Sequence, residues 1–447
     1  MTMSPVAKLV RSYQDFGFKI TAKLLLRYLA RRIGVSRWGT RYLKRHYKEW
    51  IPAPNPIVQI IFELNSRHEN VSSEDLARLM NSLVPIVHVV DTFSMGGLEN
   101  FVLDLAASQK QMGINAVIVF TNGNGELAPE ATKRGLAVHK ITNQTSFQNF
   151  LVASRANYVF IHHAYSLINY EKMTDLNFVE VFHNPYWWQK GDLHLAKLRE
   201  GFTAYVCVSS YVRNFVLQIL KLNPERTIVI ENAIPAITGL VRKKTEGRPH
   251  IFLNVGNFSE QKNQILLIRA FAQYRKQYFD FDAKLWIVGK GVSEAIKEAI
   301  TNIVEPEVWS QIEFKQAKNS AEMHEIYGRA DYFIQPSTYE GFSLASLEAM
   351  AHNLPIAISM TGGYLEFERD RLNVIRIPGI TPDNESLDRQ YIYETCWNPH
   401  SKQIRNTADA FFNLTQFRST EFNIGQNRNY HSMVQQYNLI GKSNEFN

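Results

Sequence analysis

Glu340 and Glu348 stand eight positions apart in the segment Tyr339-Glu340-Gly341-Phe342-Ser343-Leu344-Ala345-Ser346-Leu347-Glu348-Ala349. The apolar run Tyr332-Phe333-Ile334 precedes them and is closed by Pro336 and Ser337, the pattern of a buried strand ending in a turn. The order is therefore strand, tight loop, helix. A helix start offers unpaired backbone N–H groups and the positive end of the helix dipole, which suits an anion. One glutamate before that start and one a turn or more inside it would bracket the anion with two hydroxyl-binding carboxylates. A phosphate so bracketed describes a sugar nucleotide. Two glutamates at this spacing are more often solvated side chains on a helix face. The glycine directly after Glu340 and the strand-to-helix setting favour the functional reading.

Other residues fit the same chemistry. In Val255-Gly256-Asn257-Phe258-Ser259-Glu260-Gln261-Lys262-Asn263 a strand ends at glycine, and a lysine stands where a helix starts. Lys262 is thus placed to meet phosphate as a point charge beside helix N–H groups. Leu285-Trp286-Ile287-Val288-Gly289-Lys290-Gly291 is a strand running into a glycine turn, consistent with the scheme but weak alone. Ser94-Met95-Gly96-Gly97-Leu98-Glu99 follows a strand and opens a helix, and Glu99 suits the positive helix end. His162, His163 and His183 lie where strands end, a position that serves structure more often than catalysis. Tyr186-Trp187-Trp188 suits either core packing or a stacking platform for an acceptor sugar or lipid. Asp280-Phe281-Asp282 has the form of a metal-binding Asp-x-Asp, yet it falls in a helix-to-strand connection and reads as a solvated loop. No His/Cys set has zinc spacing, and neither a Gly-x-Ser-x-Gly elbow nor a Walker loop is present.

The elements that position these residues follow from patterning. Strands at 86–90, 116–121, 158–162, 179–183, 204–209 and 227–231 alternate with amphipathic helices such as Leu98–Gln109. A second alternation runs from Ile251–Val255 to Pro355–Ser359, and helices near Thr407–Leu414 and Asn429–Tyr437 follow. Alternating strand and helix predicts parallel sheets covered on both faces. The stretch Pro235–Pro249, rich in proline, glycine and charge without apolar period, is the best domain boundary. We expect an N-terminal extension over 1–82, a Rossmann-like domain over 83–238 joined by a C-terminal helix within 425–447, and a second Rossmann-like domain over 249–424. Two doubly wound domains imply a cleft, with ligands at the carboxyl ends of strands.

Charge is unevenly placed. The first fifty residues hold twelve Lys and Arg against two acids, a net +10 that exceeds the whole chain's +7 and leaves −3 for the remainder. Val6, Leu9, Val10, Tyr13, Phe16 and Ile20 share one helical face, opposite Lys8, Arg11 and Lys19. That pattern fits a helix in an anionic membrane interface, or a basic helix packed on protein. No nucleic-acid fold signature accompanies the charge, so no nucleic-acid partner is expected. Only Cys207 and Cys396 occur, so a reducing compartment is expected. No apolar run approaches a membrane span, and no signal peptide is expected.

The stretch Ala330 to Ser337 followed by Glu340 to Ala351 resembles the Glu-x7-Glu signature of retaining GT-B glycosyltransferases of the glycosyltransferase 4 type. The resemblance extends over roughly 84–375. The segment from Gly256 through Ala270-Phe271 is similar to that family's phosphate loop, with Asn257 where the family carries arginine. Gly362-Gly363 with Glu366 and the loop at Gly96-Gly97 match further family loops, on the donor and acceptor sides. His183 best matches the histidine that contacts the transferred sugar, and Glu231-Asn232-Ala233-Ile234 resembles the hinge segment with alanine for glycine.

The resemblance implies a GT-B fold and hexosyl transfer from a nucleotide sugar, most commonly a UDP-sugar, without a metal or other cofactor. The implied donor side is Gly256, Asn257, Lys262, Gly341, Phe342, Ser343, Leu344 and Glu348. Glu340, His183 and Lys262 act at the reacting centre; Gly96, Gly97, His162 and Trp187 lie on the acceptor side. With the basic extension, the expected acceptor is a lipid-linked or polymeric saccharide and the expected location is cytoplasmic, at the inner membrane face. The alternatives are a non-catalytic GT-B partner subunit and a sugar-nucleotide epimerase.

Overall fold

In the computed structural model the described residues are 86–154, 156, 158–168, 176–235, 249–280, 282–317, 319–370, 374–417 and 430–440. The basic extension, and the reading of it as a membrane-facing helix, lies outside them, as does most of the linker at Pro235–Pro249.

A seven-stranded sheet contains β1 (Ile86–Thr92), β2 (Ala116–Asn122), β3 (Ala137–Lys140), β4 (Tyr158–His162), β5 (Asn177–Phe182), β6 (Ala204–Cys207) and β7 (Thr227–Val229), in the order β3-β2-β1-β4-β5-β6-β7. A six-stranded sheet contains β8 (Ile251–Val255), β9 (Lys284–Val288), β10 (Ile312–Lys315), β11 (Tyr332–Gln335), β12 (Ile356–Ser359) and β13 (Val374–Ile377), in the order β10-β9-β8-β11-β12-β13. The ladders β1–β2, β1–β4, β8–β9 and β8–β11 are parallel. In each sheet the order reverses beside the first strand, and such a switch point leaves a crevice at the strands' carboxyl ends. The expected pair of doubly wound parallel sheets is what the chain forms.

The helices that matter to the site are α1 (Gly97–Gln111), α2 (Ser210–Gln218), α3 (Gln264–Tyr278), α4 (Ser320–Arg329), α5 (Leu344–Ala351), α6 (Tyr364–Arg369), α7 (Arg389–Trp397), α8 (Ser401–Thr415) and α9 (Tyr430–Leu439). Central strands are buried on both faces, as the apolar runs of β4, β5 and β8 require. The core of the second sheet joins Phe252, Leu266, Phe271 and Tyr274 to Phe411 and Leu414 of α8.

Two compact units emerge from the packing: one runs to Val181 and includes Lys197–Tyr205 and the chain from Val434; the other holds Phe182–Ala196 and Val206–Met433. In the first, Gln109 of α1 donates to Asn438 Oδ1 of α9 at 3.0 Å, and Phe101 meets Tyr437 edge-on. Asp280 is tied down, accepting from the Tyr274 hydroxyl at 2.6 Å with His250 at 3.3 Å, which accounts for its place in the α3–β9 connection. Among the described residues no helix is long and apolar enough to cross a membrane.

Candidate active site

Glu340 sits on the loop between β11 and α5 and is 5% exposed. Its Oε1 is the meeting point of three donors. Lys262 Nζ forms an ion pair with it, Ser337 Oγ donates at 2.8 Å and Gln335 Nε2 donates at 3.1 Å. Its Oε2 has one long hydrogen bond, from Gln261 Nε2 at 3.3 Å, and the same amide also reaches Asn184 Oδ1 at 3.3 Å. The two oxygens are thus unequal: one is saturated and the other retains acceptor capacity.

The sequence builds this locally. Ser343 caps α5, its Oγ accepting the Ser346 amide at 3.2 Å. The first-turn amides of that helix lack intrahelical partners by construction. Glu348 lies one turn further on, and its Oε2 accepts the Tyr327 hydroxyl of α4 at 2.8 Å. Burial, with the Glu348 carboxylate beside it, holds the Tyr327 phenol well above its ordinary range. Tyr327 also stacks on His352, whose ring pairs with His324 at 3.2 Å.

Two loops bring Lys262 to Glu340. Gly256 ends β8, and a side chain there would press on the Lys262 stem, whose Cε lies 3.0 Å from the Cβ position. Gly289 ends β9, and its Cβ would lie 2.2 Å from the Gly256 carbonyl oxygen, so only glycine permits this approach. Asn257 accepts the Lys290 amide at 3.1 Å and so staples the two loops together, a task an arginine side chain lacks the acceptor for. Gln264 Nε2 donates to the carbonyls of Gly256 and Asn257 at 3.3 and 3.2 Å, closing the turn.

The histidine loop meets the same place. His183 follows β5 directly, and its carbonyl oxygen would lie 1.5 Å from a Cβ at Gly341. Ser209, which caps α2, donates to the Gly341 carbonyl at 2.6 Å. Glu366 of α6 accepts the Ser210 amide at 2.6 Å. Trp187 approaches Tyr339 edge-on at 6.5 Å, and Trp188 packs on Tyr186 while staying half exposed. Lys190 anchors this loop by donating to the carbonyls of Glu385 and Leu387 at 2.9 and 2.8 Å.

Of the sequence-derived candidates, the second unit therefore holds His183, Trp187, Gly256, Asn257, Lys262, Glu340, Gly341, Phe342, Ser343, Leu344 and Glu348. Gly96, Gly97 and His162 belong to the first unit. There Glu99 folds back over Gly96, accepting the Thr92 hydroxyl at 2.8 Å, so it serves the loop as well as the helix dipole. His162 is buried and contacts His88, Nε2 to Nδ1 at 3.0 Å, while His88 Nε2 meets Gln109 Oε1 at 2.7 Å. Burial pulls His88 down to about 4, so it is neutral. Since Gln109 Oε1 can only accept, His88 carries its proton on Nε2, and His162 must donate from Nε2. Sequence reading missed Gln261, Gln335, Tyr327 and Ser209. Only Gln335, a polar residue closing an apolar strand, left a local signal.

Comparison with known proteins agrees with this architecture. Residues 95–236 match the model described as Glycosyltransferase Family 4, and residues 240–383 match Glycosyl transferases group 1. The chain carries the two domains of a GT-B glycosyltransferase. An uncharacterized glycosyltransferase of Methanocaldococcus jannaschii is 31% identical over 134 residues, 30% of this chain and 33% of that protein. The chain thus spans about a third of that curated relative's length. A solved glycosyltransferase from Rickettsia africae superposes with a TM-score of 0.56 at 18% identity, covering 81% of this chain and 98% of that one. Anabaena HepE in complex with UDP-glucose superposes with a TM-score of 0.56 at 15% identity, over 79% of this chain and 97% of that one. These likenesses establish the GT-B fold.

Proposed function

We propose that this protein is a retaining glycosyltransferase that moves a hexose-type sugar from a nucleotide sugar, UDP-linked in our reading, to a membrane-associated saccharide or cell-envelope polymer. The observation that carries the proposal is the Glu340 carboxylate at the entrance to α5, locked on Oε1 beside Lys262 and left with acceptor capacity on Oε2. In this reading 83–238 with 425–447 form the acceptor domain and 249–424 the donor domain.

Each group then has a task. The leaving diphosphate gains negative charge, which Lys262 and the first amides of α5 stabilise with no metal required. Glu340 Oε2 accepts a hydroxyl of the transferred sugar, Glu348 accepts the ribose hydroxyls, and His183 holds the sugar from the other side, which fixes the anomeric carbon for attack. Gly96, Gly97, His162 and Trp187 serve the acceptor. No nucleophilic side chain is assigned, and front-face departure and attack on the same side of the sugar accounts for retention. The UDP-glucose complex of the Anabaena protein supports the choice of donor class.

The test is a panel of UDP-, GDP- and ADP-sugars, with and without bacterial membrane extract, read as nucleotide release and by the anomeric configuration of the product. Acceptor-dependent release with retention supports the proposal; conversion of a sugar nucleotide without acceptor, or inversion, defeats it. We also place the acceptor at the inner membrane face because residues 1–50 carry a net +10 from twelve basic and two acidic residues. Deleting 1–50 is expected to abolish co-sedimentation with phosphatidylglycerol vesicles, and undiminished binding would remove this part of the proposal.

A further inference from the structure

Gln335 is the last residue of β11 and only 2% exposed. An amide in that position needs partners on both its ends. On one side its Oε1 accepts the Ser343 hydroxyl at 2.7 Å, with Ser346 Oγ near by at 3.4 Å. Ser343 Oγ also accepts the Ser346 amide at 3.2 Å and the Ser346 hydroxyl at 2.7 Å, so its own proton goes to the glutamine. On the other side Nε2 faces Glu340 Oε1 at 3.1 Å. The amide's orientation is therefore determined: the serines need its oxygen, and a carboxylate accepts only its N–H. One side chain thus links the helix cap ahead of Glu348 to the carboxylate of Glu340.

We propose that Gln335, held by Ser343 and Ser346, is a positioning residue that fixes Glu340 Oε1 and so aims Oε2 at a hydroxyl of the donor sugar. The inference rests on the glycosyl-transfer reading of this site. Lys262 and Ser337 also hold Oε1, but the lysine has a flexible stem and is itself required by the diphosphate. Gln335 and Ser337 are the donors on that oxygen that stay in place when Lys262 turns to phosphate, and of the two Gln335 is also gripped by the serines at the start of α5. Its loss removes a donor from the carboxylate that meets the sugar, while Ser343 still caps α5 through the Ser346 amide at 3.2 Å and so keeps the helix start that faces the nucleotide.

The experiment compares Gln335→Leu, Gln335→Glu and Glu340→Gln with the wild-type chain, using the panel of UDP-, GDP- and ADP-sugars for turnover and bare UDP, GDP and ADP for calorimetric binding. Gln335→Leu is expected to lower kcat about tenfold to a hundredfold, the worth of a hydrogen bond to a charged group, while nucleotide Kd stays within about twofold. Gln335→Glu sets a second carboxylate against Glu340 and restores the missing donor only when protonated. Its activity relative to wild type should rise as pH falls from about 8 to about 6, because burial and the neighbouring charge raise a carboxyl's pKa. A merely structural glutamine would change nucleotide affinity together with kcat and leave the pH ratio flat, and either result overturns the inference. If Glu340→Gln turns over donor like wild type, or the wild-type chain uses no donor in the panel, the transfer reading fails as well.

Discussion

Replacing Lys262 by methionine separates the structural and chemical roles of the Lys262–Glu340 pair. Lys262 keeps 20% of its side chain exposed and Glu340 only 7%, so the charge left behind is the buried one. Stripping one partner from a fully buried pair costs about 3–5 kcal/mol. Here the lysine reaches solvent, and Ser337, Gln335 and Gln261 still donate to the carboxylate, so the lower figure of about 2–3 kcal/mol applies to Lys262→Met. Glu340→Gln leaves an ammonium that can turn to water and should cost about 1 kcal/mol. The double variant removes both charges and should be less destabilised than the sum, with a coupling of about 2 kcal/mol in urea unfolding. Activity follows a different pattern. Lys262→Met should lower kcat for nucleotide release by roughly a hundredfold or more, as expected when a donor to developing charge is lost, and the double variant should stay inactive although its stability recovers. Strictly additive unfolding costs, or a Lys262→Met variant that turns over donor within a few-fold of wild type, would refute the reasoning.

Gly341→Ala places a Cβ 1.5 Å from the His183 carbonyl oxygen, a backbone atom that cannot step aside alone. A loss of about 3 kcal/mol or more and a fall in activity are expected in unfolding and turnover assays, and a neutral result would contradict the packing. Tyr327→Phe removes the donor on Glu348 Oε2 and should weaken nucleotide binding by about 1–2 kcal/mol with little change in kcat, measured by titration with UDP. His88 is held neutral by burial at about 4. Below the ordinary value near 6.5 the unfolded chain takes up a proton that the folded chain refuses, so stability falls as pH drops from about 6.5 toward 4, by on the order of 3 kcal/mol. His88→Gln should flatten that part of the urea-midpoint profile between pH 7 and 4.5, and an unchanged slope would show that His88 is not its source.

The strands that carry the site were legible because buried parallel strands are apolar runs ending in glycine or turn residues, as in Ile251–Val255 and Tyr332–Gln335. The strands that escaped, Ala137–Lys140 and Val374–Ile377, are sheet edges of four residues; the first is largely exposed, and the second is half-buried with Arg376 interrupting its short apolar stretch, so neither presents a long apolar run. Helix Arg389–Trp397 escaped because it buries little apolar surface, chiefly Ile392 and Cys396. Within the site, Glu340, Glu348 and Lys262 stood out by local pattern, each beside a helix start. Their mutual arrangement did not. The Lys262–Glu340 pair closes over 78 residues, and Gln261 joins Asn184 to Glu340 across separations of 77 and 79. Asn257 marks the limit of pattern reading most plainly. By motif it is an absent arginine, whereas in the fold its side-chain Oδ1 accepts the Lys290 amide and joins the Gly256 and Gly289 loops.

The most direct test of the account is acceptor-dependent nucleotide release across the sugar-nucleotide panel, measured side by side for the wild-type chain and Glu340→Gln. Release is expected with at least one donor when membrane extract is present, and loss of that release in Glu340→Gln while UDP still binds. Equal release by the two proteins, or none by the wild-type chain with any donor, would contradict it.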